Sequence, residues 1–296
     1  MKKFALTLGG GGARGAVHIG IWLEMEEMGL RPQLITGTSI GGIIGGLIAC
    51  GLSGAELVAF YRRLELSKLY ALPMGKPAIT DNKKFERMIE DAIGRPTFAD
   101  LEIPLAVVAT DLVARREVIL DEGDLVSAML ATSAFPIVLP PVERNDLILV
   151  DGGILNNVPF DIARARGATT VLAITLSNSA PFGSETSSTG SFSRGLLNRM
   201  LSAAEKTAIW QVASVISDIL TTRSMETRQS ISRPDILLRP YVGSMGLFDF
   251  DQVDEGIEAG RQAFQEAKGD IIRALTETSR LDKINTGRLV GGTRIG

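Results

Sequence analysis

A serine set between glycines, an aspartate in front of a glycine pair and a run of glycines near the start are the residues whose types and spacing could do chemistry. Gly37-Thr38-Ser39-Ile40-Gly41 fits G-x-S-x-G. Small residues on both sides of such a serine allow a tight strand-to-helix turn that lifts the hydroxyl to a helix N-terminus. A hydroxyl held there could attack a carbonyl carbon, and the helix end would favour the negative charge that develops. It needs a base. The single histidine, His18, falls about one turn into the helix that follows the glycine run, where a packed, hydrogen-bonded ring is the plainer reading. Asp151 is the better candidate, because it follows Leu147-Ile148-Leu149-Val150 and precedes Gly152-Gly153, which places a carboxylate at a strand end on a sharp turn. Burial there would raise its pKa toward the range a base needs. The alternative is an ordinary Asp-Gly turn residue.

The segment Gly9-Gly10-Gly11-Gly12-Ala13-Arg14-Gly15 follows a short apolar run and opens a helical pattern, so its backbone N–H groups can converge on an anion. Gly10-x-Gly12-x-x-Gly15 is formally a dinucleotide fingerprint, which calls for an acidic residue about twenty positions on to hold the ribose. Leu30 to Ala55 contains neither Asp nor Glu. The other anion such a loop serves is the oxyanion of acyl transfer. Ser133 is a rival nucleophile by residue type only, since no glycine elbow surrounds it, and Cys50 reads as a small core residue of an apolar helix.

The elements that must position these groups alternate. Phe4 to Leu8 reads as a buried strand, Ala16 to Met28 as a helix stopped by Gly29, Leu34 to Thr36 as a strand, Ile40 to Cys50 as a buried helix and Gly54 to Leu64 as an amphipathic one. Leu105 to Thr110 is the clearest central strand. Glu117 to Leu120, Leu147 to Val150, Val171 to Leu176 and Ile236 to Pro240 are further strands, with helices over Phe160 to Arg166 and Gln252 to Leu275. Strands alternating with helices imply a largely parallel sheet covered on both faces. Ser177 to Ser193, rich in Ser, Thr and Gly, reads as a mobile loop, followed by a long helix from about Leu196 to Leu220. Residues 1–278 are expected as one domain, with 177–233 an inserted lid and 279–296 a frayed basic tail.

Composition removes several classes. The chain has 296 residues, 45% hydrophobic and 22% charged, enough for a large core, and its net charge of −3 leaves no footprint for nucleic acid. One cysteine and one histidine exclude a disulfide framework and argue against a zinc site, and the cysteine count is compatible with a reducing compartment. The apolar run after Lys2-Lys3 breaks into glycines before a signal-peptide core forms. Pro32 to Ala55 is uncharged but too rich in glycine to read as a membrane span. A cytoplasmic location is expected, with peripheral contact at a membrane surface left open.

Taken together, the motifs resemble the bacterial patatin-like phospholipases, serine lipid acyl hydrolases with a Ser–Asp dyad. The glycine loop at Gly10 to Gly15, G-T-S-I-G at Gly37 to Gly41 and D-G-G at Asp151 to Gly153 occur in the family's order. Ala131-Thr132-Ser133-Ala134-Phe135-Pro136 is similar to the segment members carry between serine and aspartate, and Leu247-Phe248-Asp249-Phe250 to a later landmark. Asp-Gly-Gly stands where some members have Asp-Gly-Ala, which leaves the carboxylate untouched. The resemblance implies a three-layer α/β/α fold with a mostly parallel central sheet. It implies Ser39 as nucleophile, Asp151 as base, the amides of Gly10, Gly11 and Gly12 as oxyanion donors, and Arg14 orienting that loop or meeting a substrate phosphate. Neither metal nor organic cofactor is implied. The expected substrate is a phospholipid or another fatty-acyl ester, and self-association is left open. Two readings of other classes stand beside this one: a nucleotide-binding protein using Gly10 to Gly15, and a non-catalytic lipid-binding regulator on the same fold.

Overall fold

The computed structural model of the chain describes residues 3–67, 82–136, 138–177, 219–243, 245–247 and 249–276. In order these form β1 (Phe4–Leu8), α1 (Ala16–Glu27), β2 (Leu34–Thr38), α2 (Ile40–Ala49), α3 (Gly54–Ser67) and α4 (Asn82–Ile93). They continue as β3 (Leu105–Asp111), β4 (Arg116–Leu120), α5 (Leu125–Thr132), β5 (Val142–Arg144), β6 (Leu147–Asp151), α6 (Phe160–Ala165) and β7 (Thr170–Ile174). A helix over 219–231, here α7, then β8 (Ile236–Leu238) and α8 (Val253–Thr276) complete them. All described strands join one sheet in the order β5-β6-β3-β2-β1-β7-β8, with β4 on the other edge of β3.

The alternation of side chains along each strand decides the layers. Phe4, Leu6 and Leu8 of β1, with Ile35, Leu105, Val107, Leu172 and Ile174, join the large core that includes α1, α2, α3, α5 and α8. The intervening residues face the other way: Ala5, Val171 and Ala173 pack with Phe160 and Ala163 of α6 and Met225 of α7, and Ala106 and Val108 with Ile162. Strands buried on both faces read as continuous apolar runs, as β1, β3 and β7 do. The result is the expected α/β/α sandwich, with one thick helical layer and one thin.

Register brings two strand ends together. The sheet is parallel at its centre, where β1 pairs β2 and β7, and β2 pairs β3. β4 runs antiparallel along Val107 to Asp111 of β3, occupying one edge. β2 and β6 therefore share the opposite edge, β2 pairing Leu105 to Val108 and the antiparallel β6 pairing Ala109 to Asp111. They meet end to end: Thr38 lies opposite Val108 and Asp151 opposite Ala109, adjacent positions of β3. The residue after Thr38 is Ser39.

The sequence reading missed α4, α5 and β5. α5 is short and buried nearly all round, so it carries no polar stripe; its start is marked by Asp124, whose carboxylate accepts the Ser127 amide at 2.6 Å. The Ser177 to Ser193 loop beyond Ser177 itself, most of the Leu196 to Leu220 helix and the tail at 279–296 lie outside the described residues, as does the lid reading except at its ends. Residues 219–231 are helical as α7, eleven positions past the stop expected near Leu220.

Candidate active site

Ser39 is the residue between β2 and α2, and its backbone sits at φ 56°, ψ −128°, a conformation side chains other than glycine's rarely adopt. The surroundings hold it there. Its amide donates to Thr132 Oγ1 at 2.9 Å, and that hydroxyl donates in turn to the Val108 carbonyl. Its carbonyl receives the amides of Gly42 and Ile43 and so starts α2. A side chain at Gly41 would collide with the Leu8 carbonyl oxygen, so the close approach of α2 to the end of β1 requires glycine.

The Ser39 hydroxyl donates to Asp151 Oδ2 at 2.6 Å, and Asp151 Oδ1 accepts the Gly153 amide at 2.7 Å. Asp151 is 2% exposed. Burial pushes its carboxyl up to about 6, against the opposing pull of the bonds from Ser39 and Gly153. Such a carboxylate is ionised at neutral pH and is a far better proton acceptor than a solvated one.

The glycine loop faces Ser39: a side chain at Gly10 would meet the Ser39 Cβ at 3.0 Å. Its peptide groups are tied down one by one. The Gly9 amide donates to the Ile174 carbonyl at 3.0 Å and the Ala13 amide to Leu247 at 2.8 Å, while the Tyr61 hydroxyl donates to the Ala13 carbonyl at 2.7 Å. Gly12 has φ +55°, and a side chain there would strike the Leu247 carbonyl, so this turn also requires glycine. The Gly10 amide already donates to the Asn157 carbonyl at 3.1 Å. Among the described residues, the amides of Gly11 and Gly12 have no backbone acceptor.

Arg14 is buried, its Nε donating to the Met245 carbonyl at 2.9 Å and a terminal nitrogen to Leu176 at 3.2 Å. It thus joins the segments around 176 and 245 to the glycine loop. His18 Nε2 donates to the Gly9 carbonyl at 2.8 Å, and burial pulls the ring down to about 4, so it stays neutral and braces the loop from behind. Ser133 is buried with its hydroxyl spent on the Met129 carbonyl at 2.8 Å. The Cys50 thiol is pushed up to about 11, first by burial and then by Glu102 and Asp100. Gly15, Gly37 and Gly152 all sit where an added Cβ would strike neighbouring atoms. Among the described residues no cluster of three His, Cys, Asp or Glu side chains could hold a metal ion.

Residues 6–164 match the family described as patatin-like phospholipase. The chain belongs to that family. An uncharacterised NTE family protein of Mycobacterium tuberculosis is 26% identical over 283 residues, 92% of this patatin-like chain and 48% of the relative. Human patatin-like phospholipase domain-containing protein 6 is 29% identical over 306 residues, 97% of this chain and 22% of its own. The chain therefore spans about half the length of the mycobacterial relatives it matches. VipD from Legionella pneumophila shares the fold at a TM-score of 0.53 and 13% identity, covering 90% of this chain and 67% of that one. Among the described residues no helix is long and apolar enough to cross a membrane.

The patatin-like site also makes hydrogen bonds with residues that sequence reasoning did not single out. Thr132 lies in the Ala131 to Pro136 segment with no feature that marks a role, Tyr61 sits on an amphipathic helix with nothing to distinguish it, and Asn157 follows the D-G-G turn by only a few residues. The one available signal was the polar pair Asn156-Asn157, five and six residues after the candidate base and just ahead of Pro159.

Proposed function

We propose that the chain is a serine acyl hydrolase of phospholipids or other fatty-acyl esters, working through a Ser39 acyl-enzyme with Asp151 as base. The observation that carries this reading is the 2.6 Å hydrogen bond from the Ser39 hydroxyl to a buried carboxylate with a raised pKa. As Ser39 Oγ attacks the ester carbonyl carbon, Asp151 Oδ2 takes the hydroxyl proton. The carbonyl oxygen becomes an oxyanion facing the glycine loop, where the Gly11 and Gly12 amides stabilise it; the Gly10 amide is already engaged and contributes through the loop's shape. Collapse of the intermediate breaks the bond to the alcohol oxygen, which leaves with the proton from Asp151. Water then attacks the acyl-enzyme, Asp151 removes its proton, and that proton returns to Ser39 as the fatty acid departs. Asp151 thus replaces the histidine of a three-residue relay, and burial supplies the basicity the imidazole would bring. An apolar acyl substrate also suits a family of lipid hydrolases, with peripheral contact at a lipid surface. The test is fatty-acid release from phospholipid and lysophospholipid by wild type and Ser39→Ala. Release by wild type alone supports the assignment, and equal release by the variant refutes it.

A further inference from the structure

An oxyanion hole made of glycine amides has no side chains of its own to lock it, so its aim depends on what grips its peptide groups. In a planar trans peptide the C=O and the following N–H point in opposite directions. The Gly11 N–H therefore shares one rigid unit with the Gly10 carbonyl, and whatever holds that carbonyl aims that amide. The Asn157 side chain does so: Nδ2 donates to the Gly10 oxygen at 3.1 Å, while the Asn157 backbone carbonyl takes the Gly10 N–H, also at 3.1 Å. The Gly12 amide is aimed separately, because its partner carbonyl on Gly11 accepts the Arg14 amide at 3.2 Å, a contact internal to the turn.

Asn157 is itself fixed. Its neighbours are tied to β2, Asn156 through its carbonyl to the Thr38 hydroxyl at 2.8 Å and Pro159 through its carbonyl to Thr36 at 3.1 Å. The side chain is buried between the two halves of the site: added Cβ atoms at Gly10 and at Gly153, beside Asp151, would both press on its Oδ1. The loop that carries the base therefore also carries the group that sets the oxyanion loop.

We propose that Asn157 is a positioning residue that aims the Gly11 amide at the developing oxyanion. This rests on the acyl-hydrolase reading above. Asn157→Ala, and Asn157→Asp as a same-shape variant that lacks the Nδ2 donor, are compared with wild type and Ser39→Ala on a soluble short-chain p-nitrophenyl ester, alongside inhibition by a trifluoromethyl ketone. Outright loss of an oxyanion donor lowers turnover by about 10²- to 10³-fold, so a misaimed one is expected to cost about 10- to 100-fold in kcat. KM should change little, ketone affinity should fall in step with kcat/KM, and the pH midpoint of Asn157→Ala should stay where wild type has it. The inference is overturned if a folded Asn157 variant keeps kcat within about twofold of wild type, or if the loss lies in KM alone. It is equally overturned if raising the pH restores Asn157→Ala, which would mean the residue acts through Asp151. A wild type with no Ser39-dependent activity would instead remove the hydrolase reading, and this inference with it.

Discussion

Replacing Asp151 with asparagine should make the protein more stable and catalytically dead at once. The carboxyl is buried, and its pKa stands at about 6 against an ordinary 3.8. At neutral pH the folded protein holds a charge that the unfolded chain solvates more readily, and at ~1.4 kcal/mol per pKa unit that difference is about 3 kcal/mol. An asparagine has the same shape, can accept the Gly153 amide through its oxygen, and can donate to Ser39 Oγ through its nitrogen, so the site's bonds survive. Because the folded pKa lies above the unfolded one, the folded state binds the extra proton between about pH 4 and 6. Wild-type stability in this window therefore falls as pH rises, and the penalty is fully present above it. The variant does not titrate. Its advantage over wild type should approach about 3 kcal/mol at pH 8, roughly 5 °C in melting temperature for a chain of this size, and should shrink toward zero near pH 4. Paired thermal melts across that range read the difference directly, with other acids cancelling. Equal melting temperatures at pH 8, or an advantage that does not fade on acidification, would refute the claim that Asp151 is held charged at a cost.

Three further outcomes follow from the same geometry. Ester hydrolysis should rise with pH through a midpoint near 6 as Asp151 loses its proton, and a pH-independent rate across 5 to 7 would contradict its role as base. Ser39→Gly should be more stable than Ser39→Ala by about 1 kcal/mol in denaturant unfolding, because glycine alone relaxes at φ 56°. Thr132→Val leaves the Ser39 amide without its acceptor, which should cost about 1–3 kcal/mol of stability and lower kcat; an unchanged variant would show that the elbow needs no such support.

How much of this was legible depended on whether a feature leaves a local pattern. β1, β3 and β7 announce themselves as apolar runs, and Ser39, Asp151 and the glycine loop announce themselves by glycine spacing, because each needs a sharp turn or a close approach. The antiparallel arrival of β6 on β3, end to end with β2, makes Ser39 and Asp151 neighbours 112 positions apart; it follows from pairing register and leaves no mark in either segment. α5 was invisible because a helix buried on nearly every side lacks polar periodicity, yet it supplies Thr132. Arg14 was legible as a residue that orients the loop and His18 as a packed, hydrogen-bonded ring, but the atoms they hold were not. One is a buried brace on carbonyls at 176 and 245, the other a neutral ring on Gly9, and both tasks depend on distant backbone atoms.

The central claim is that Ser39 is an activated nucleophile in a working oxyanion site, and covalent labelling tests it most directly. Wild type and Ser39→Ala are treated with a fluorophosphonate, intact masses are measured and the adduct is mapped by peptide analysis. A single adduct on Ser39, absent from the variant, is the predicted result. An adduct that persists in Ser39→Ala, or a folded wild type that takes none, would contradict the account.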